Sequence, residues 1–234
     1  MADPLSLPSV VLVTGTGTGV GKTVVTAALA SLVRARGTSV CVVKVAQTGV
    51  RVGEPGDMEE VHRLAGDIDI HELLRLEHPL APDAAARRAG VPLPPVARHA
   101  RTIGDLAAVS SVVLVEGSGG LLVRLDERGG TLADIGTALR YKGFSCGVVL
   151  VASAGLGTLN SAALTAEALQ HRGLPLLGVI IGQWPRDPGL AELSNLTDLP
   201  RVTGAPLLGR VPAGAGALTE AEFVAAAPEW MEFS

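Results

Sequence analysis

Ser9 to Leu32 reads SVVLVTGTGTGVGKTVVTAALASL: a β-branched apolar run, then a loop with glycine at positions 15, 17, 19 and 21, then an alanine- and leucine-rich run behind Lys22. A strand, a glycine-rich turn and a helix in that order gather backbone N–H groups at a helix start, which is how proteins cradle phosphates. The glycine spacing excludes a G-x-G-x-x-G dinucleotide fingerprint. A strict G-x-x-x-x-G-K-[ST] loop needs glycine at position 16, and the chain has Thr16 there, with Gly15 one residue early. The functional half of the loop is intact, with Lys22 able to reach outer phosphates and the Thr23 hydroxyl suited to Mg²⁺. Partition-type switch ATPases of the MinD and ParA kind carry a second lysine at the position held here by Gly17, which argues against that class.

Outward from this loop, short apolar runs recur at 39–45 (SVCVVKV), 111–117 (SVVLVEG), 146–152 (CGVVLVA), 175–181 (PLLGVII) and 205–210 (APLLGR), after the first at 9–14. They are continuously apolar rather than alternating, so both faces of each strand are expected to be covered, as in a parallel sheet between helical layers. Helical periodicity falls between them at 22–36, 57–66, 95–109, 131–142, 158–172 and 188–198, with Gly37, Gly66, Gly143 and Gly173 as stops. A small helix between irregular connections is expected within 77–100. The expected fold is a doubly wound α/β domain of the P-loop type, with 1–234 as a single domain.

The 234 residues are 47% apolar and 18% charged, enough for a sizeable core. Net charge −4 and 3% aromatics offer no basic stripe or stacking platform, so nucleic acid is excluded as the main partner. No apolar run is long enough to span a membrane, and MADPLSLPS lacks the basic start of a signal peptide, so a cytoplasmic location is expected. Cys41 and Cys146 lie in strand-like runs and read as reduced core thiols. The histidines at 62, 71, 78, 99 and 171 show no metal-ligand spacing and read as surface or helix-end residues. Arg87, Arg88, Arg98 and Arg101 read as a solvated helical face.

In such sheets ligands collect at the carboxyl ends of the strands. There the chain places GTGTGVGKT, KVAQTG (44–49), VEGSGG (115–120) and LGTLNSAALT (156–165). Lys44 ends the second run and faces the same space as Lys22. Glu116 ends a buried run beside Gly117 and Gly119, which leave room for phosphate.

These four stretches, in this order, resemble the motifs of dethiobiotin synthetases, and IGQWPRDPGLAELSN (181–195) is most similar to the actinobacterial branch of that family. The resemblance implies a ligase of biotin biosynthesis that uses ATP and Mg²⁺ to close the cyclic urea of dethiobiotin from 7,8-diaminononanoate and CO₂. One amine captures CO₂ as a carbamate, the carbamate attacks the γ-phosphate, and the second amine displaces phosphate from the mixed anhydride. It further implies that Gly19, Val20, Gly21, Lys22, Thr23 and Val24 hold the nucleotide with Gly117, Ser118 and Gly119, and that Thr18, Lys22 and Lys44 act on the transferring group. Thr23, Asp57 and Glu116 would bind Mg²⁺, with Glu59 and Glu60 as nearby alternatives to Asp57. Thr18, Lys44 and Thr48 would meet the carbamate side of the substrate. Gly157, Thr158 and Asn160, at the start of a helix in the partner subunit of a homodimer, would hold its carboxylate.

Three departures from the family pattern stand out. Val45 replaces the proline usual after the strand-end lysine, implying a looser local backbone. Asp83 follows Pro82 where relatives carry histidine. Gly182 and Gln183 stand where relatives use Asn-Asp to read adenine, which leaves base recognition to backbone groups there and at Pro212, Ala213 and Gly214, and implies that CTP or other nucleotides are accepted beside ATP. The alternative from another class is a regulatory ATPase of the MinD or ParA kind. An amidating synthetase of the cobyrinate type would need an attached glutaminase domain, for which this chain has neither the length nor a plausible cysteine.

Overall fold

The structure, a computed structural model, describes residues 7–231; part of the N-terminal stretch considered above as a leader lies outside them. Seven strands form one sheet in which every pairing is parallel. They are β1 (Val10–Gly15), β2 (Val40–Lys44), β4 (Asp69–Glu72), β6 (Val112–Gly120), β7 (Cys146–Ala152), β8 (Leu176–Trp184) and β9 (Leu207–Pro212). Their order is β4-β2-β6-β1-β7-β8-β9. Two short strands, β3 (Gln47–Thr48) and β5 (Arg75–Leu76), pair separately.

Alternation along each strand divides the core into two faces. Val11 and Val13 of β1, Val42 of β2 and Leu114 of β6 face α1 (Lys22–Ala35), α2 (Asp57–Ala65) and α8 (Glu220–Ala226). Val10, Leu12, Cys41, Val43, Val113 and Val115 face the other way, against α4 (Val96–Ala107), α5 (Leu132–Tyr141) and the C-terminal part of α6 (Thr158–His171). Leu150, Val179 and Ile181 pack with α6 and α7 (Leu190–Thr203). All these strand residues are fully buried, which is why the runs read as continuously apolar.

From β1 the chain travels to β2 and β4 on one side, returns at β6, then crosses to β7, β8 and β9 on the other. The switch in direction falls at β1, and the crevice above its carboxyl end is where this topology gathers ligands. No helix among the described residues is long and apolar enough to cross a membrane.

The expected strands and helices are present, with shifted ends. β6 and β8 run on to Gly120 and Trp184, beyond the apolar residues that marked them, and α7 passes through Pro200 to Thr203 rather than ending at 198. The small helix expected within 77–100 is α3 (Pro82–Ala89). The four glycine stops all adopt left-sided φ values of +64° to +91°. Arg87, Arg88, Arg98 and Arg101 are exposed as expected. His99 is a correction: it lies in α4 with only 3% exposure, its Nε2 without a partner, because its position falls on the face that packs onto the sheet. Both cysteines are free and buried, and burial pushes each thiol up to about 12, with Asp69 adding to the effect at Cys41. Neither is poised as a nucleophile.

Candidate active site

A cleft of about 640 Å³ opens above the ends of β1, β2 and β6. The loop between β1 and α1 forms its floor. α1 begins without a capping side chain and without an acidic residue in its first turn, so its N–H groups remain available to an anion. By contrast α5 and α8 begin with capping boxes and acidic residues. Gly21 adopts φ +93°, and a Cβ there would lie 2.5 Å from the Gly182 carbonyl oxygen. The loop therefore rests directly on the β8 backbone.

Lys22 and Lys44 enter the cleft from α1 and β2, 7% and 3% exposed. The Lys22 ammonium donates to the Gly17 carbonyl at 2.9 Å. Burial, with the Lys44 charge nearby, holds Lys22 below the ordinary lysine value against the pull of Glu116 and Asp57. The Lys44 ammonium lies 2.5 Å from Asp57 Oδ2 and 2.7 Å from Glu116 Oε1, and donates to the Gly117 carbonyl at 3.3 Å. Burial pulls Lys44 down, but Glu116 and Asp57 outweigh it and hold this amine above its usual range. Two cations and two carboxylates thus share a site walled by low-dielectric protein, where electrostatic contacts are strong.

Glu116 is fully buried. Its Oε1 also accepts from the Thr23 hydroxyl at 3.0 Å, and its Oε2 has no protein partner. An unpaired buried carboxylate oxygen is costly. Together with the hydroxyl of Thr23 and the carboxylate of Asp57 it makes an oxygen donor set that fits a hard divalent cation such as Mg²⁺.

Of the residues singled out in the sequence, Thr18, Gly19, Gly21, Lys22, Thr23, Val24, Lys44, Thr48, Asp57, Glu116, Ser118, Gly119 and Gln183 line this one cleft. Val20, Gly117 and Gly182 lie beneath it. Val20 packs in the core, and Gly182 is pressed so closely against the Val20 carbonyl that no side chain fits there. Gln183 does line the cleft, and its amide nitrogen donates to the Gly19 carbonyl at 2.9 Å. Pro212, Ala213 and Gly214 are exposed beyond the lining, held by an Ala213 N–H bond to the Trp184 carbonyl at 2.7 Å. Glu59 does not compete with Asp57: its carboxylate caps the Gly56 N–H at 2.7 Å and lies 3.5 Å from Arg75. Glu60 is taken by Arg63 at 2.6 Å.

The expectation of a loosened backbone at Val45 is corrected. Its N–H, which proline would lack, donates to the Glu116 carbonyl at 3.3 Å, and its side chain is fully buried. Asp83 pairs with Arg87 at 2.8 Å, one turn along α3. Pro79, Leu80, Ala81 and Pro82 form a wall of the cleft, and the sequence carried no signal for them beyond their proline content. Gln47 was visible only as part of KVAQTG; the structure gives it a position between Thr48 and the start of α2.

Gly157, Thr158 and Asn160, at the start of α6, are not among the residues that line this cleft. Gly157 is the N-cap, at φ +87°, with no side-chain cap; Thr158 follows it, buried, with its hydroxyl unpaired rather than capping. The loop before it is fixed by Asn195, whose amide donates to the Ala154 carbonyl at 2.6 Å and to that of Gly155 at 3.2 Å. This helix start, like that of α1 without a side-chain cap or an acidic first turn, leaves free N–H groups, with Asn160 at the surface.

A family described as an AAA domain matches residues 9–217. An ATP-dependent dethiobiotin synthetase BioD of a Parafrankia species is 53% identical over 224 residues, covering 96% of this chain and 92% of that one. The protein of the same description from Streptomyces coelicolor is 55% identical over 223 residues, covering 95% and 91%. Among solved structures, a ParA family ATPase from Chlorobium tepidum is similar at a TM-score of 0.57 with 14% identity, over 94% of this chain and 92% of that one, a likeness of fold alone.

Proposed function

The chain belongs to the ATP-dependent dethiobiotin synthetases, and from that membership we propose that it closes the cyclic urea of dethiobiotin from 7,8-diaminononanoate and CO₂, with ATP leaving as ADP and phosphate. The observation that carries this reading is the convergence of Lys22, Lys44, Thr23, Asp57 and Glu116 in one cleft above the topological switch point. The reaction gathers negative charge on a carbamate and on a transferring phosphoryl group. Such chemistry needs preorganised cations and N–H donors rather than a nucleophilic side chain.

In this reading the N–H groups opening α1 receive the phosphates, and Lys22 moves from the Gly17 carbonyl to them. Lys44 approaches the carbamate from β2, held in its charged form by its two carboxylate partners. Thr18 and Thr48, which both line the cleft, offer hydroxyl groups to the carbamate. Thr23, Asp57 and Glu116 would hold Mg²⁺, which would supply neutralisation of the phosphate charge.

The start of α6 receives the substrate carboxylate in the opposing subunit of a homodimer. Support comes from the free N–H groups there and from exposed leucines on the neighbouring surface. Leu156 (91% exposed) precedes α6, and Leu190 (88%) and Leu193 (51%) lie on α7, which packs against it. The regulatory ATPase alternative rests on fold likeness alone. Incubation of the protein with nucleotide, Mg²⁺, bicarbonate and the diamine, scored by mass for a cyclic urea, tests the proposal. Nucleotide hydrolysis without that product, under conditions where a partner protein stimulates it, would favour the alternative.

A further inference from the structure

At the far edge of the sheet, Cys41 of β2 lies directly across from Asp69 of β4 in the strand register, and His71 follows two residues along on the same face. The Cys41 thiol, an Asp69 carboxylate oxygen and a His71 ring nitrogen all lie within 4.8 Å of one another. His71 Nε2 is 3.1 Å from the Asp69 carboxylate. We propose that these three side chains form a binding site for a borderline-soft divalent cation of the Zn²⁺ type, separate from the catalytic cleft.

The donor set selects the class of ion. Thiolate and imidazole are ligands for zinc or its congeners, whereas Mg²⁺ takes oxygen. In a tetrahedral zinc site with ordinary bond lengths, neighbouring ligand atoms are roughly 3.5 Å apart. The cluster is already near that size, so side-chain rotation closes it without movement of the strands. Both strands are paired in a rigid sheet, which fixes the relative positions of the ligands before the ion arrives.

Cys41 has no exposed surface, but Asp69 and His71 are respectively 60% and 37% exposed at the side chain. The ion enters from that open side. The thiol S–H proton leaves to solvent as the metal–sulfur bond forms, the Asp69–His71 hydrogen bond breaks, and water completes the coordination. Cys41 and Lys44 are three residues apart on β2, so their side chains point to opposite faces. The edge cluster and the catalytic cations therefore do not share a ligand. An ion there would pin β4, an edge strand of four residues, to β2.

Cobalt(II) provides the test, because thiolate coordination gives a charge-transfer band in the near ultraviolet that oxygen-only coordination in the cleft does not. The full chain, in excess Mg²⁺ and without nucleotide, is titrated with Co²⁺. One equivalent per chain is expected to produce the band, Zn²⁺ to displace it and to raise Tm. Cys41→Ala should abolish the band and Cys146→Ala should leave it. His71→Ala, at an exposed edge position that does not threaten folding, should weaken Co²⁺ binding at least by the roughly 10- to 100-fold that losing even an outer-shell partner costs. Absence of a stoichiometric thiolate band, its survival in Cys41→Ala, or unchanged affinity in His71→Ala would each overturn the proposal.

Discussion

Gln47 accepts the backbone N–H of Asp57 through its side-chain oxygen at 2.9 Å, while its amide nitrogen donates to the Thr48 carbonyl at 3.2 Å. The first bond fixes the start of α2, and with it the Asp57 carboxylate, over the end of β2 where Lys44 lies. Gln47 is only 5% exposed, so water does not readily replace it. Gln47→Ala is expected to raise the Mg²⁺ concentration for half-maximal turnover by about 3- to 10-fold, the scale of one lost hydrogen bond to a partly buried group. Turnover at saturating Mg²⁺ should largely survive. Gln47→Met keeps the bulk but not the acceptor and should behave as alanine does; recovery in the methionine variant would make the role steric.

Lys44 carries two kinds of consequence. Lys44→Ala should retain nucleotide binding and lose turnover by at least ~10²-fold, the scale for removing a preorganised charge stabiliser. It should also destabilise the free protein by about 3–5 kcal/mol, because Glu116 is left as a buried carboxylate without its cation. Mg²⁺ should then raise Tm more in the variant than in the wild type. Thermal melts with and without Mg²⁺, beside single-turnover assays, separate the two effects; full activity would remove Lys44 from the reaction.

Much of the architecture was legible because β1, β2, β6, β7 and β8 are buried on both faces and so leave continuous apolar runs. β4 was not: at the sheet edge, Asp69 to Glu72 reads DIHE, and its charged residues suit an unpaired edge while erasing the apolar signal. β3 and β5 are two residues each and exist only through each other. α8 did leave a local mark, the Thr219–Glu222 capping box, which a reading for apolar runs passes over. In the cleft, strand-end motifs located the lysines, Thr23 and Glu116, because Lys44 and Glu116 lie toward the ends of β2 and β6, and Lys22 and Thr23 open the helix that follows β1. The wall at 79–82 and the bond from Gln47 to α2 depend on how distant segments meet, which no short motif encodes.

Base selectivity should be weak. Gly182 lacks room for a side chain, and the amide nitrogen of Gln183 is already committed to the Gly19 carbonyl. ATP is expected to be preferred over CTP by less than ~100-fold, since a site without a dedicated polar reader rejects the wrong base poorly. Competition binding of the four nucleoside triphosphates measures this directly. Strict adenine selectivity that disappears in Gln183→Ala would make Gln183 the reader.

His99 should impose an acid limit on stability. Burial, then the neighbouring Arg98 charge, lower its pKa below 6.5, with Asp126 opposing them. Between the lowered folded value and 6.5 the unfolded chain binds a proton that the folded chain does not. The contribution to stability is therefore complete above 6.5 and is lost as pH falls from there through the folded value, with a slope of up to about 1.4 kcal/mol per pH unit. Urea unfolding across this range should show the slope diminished in His99→Leu. Parallel curves for variant and wild type would mean that the buried ring titrates normally.

The placement of the α1 and α6 starts leads to the most direct test of a shared site. The α1 start lines the cleft, and the α6 start with Asn160 is not among the residues that line it. If the site is composite, Lys22→Ala disables the nucleotide side and Asn160→Ala the carboxylate side. A mixed dimer of these variants has one site with both defects and one with neither. Mixing equal amounts and allowing subunit exchange should restore roughly a quarter of wild-type activity, from random assortment of two subunit types in a symmetric dimer. Were both functions to act within one chain, every site would keep one defect and mixing would restore nothing. Labelled subunits verify the exchange, so mixed dimers without recovered activity would place the carboxylate site within a single chain.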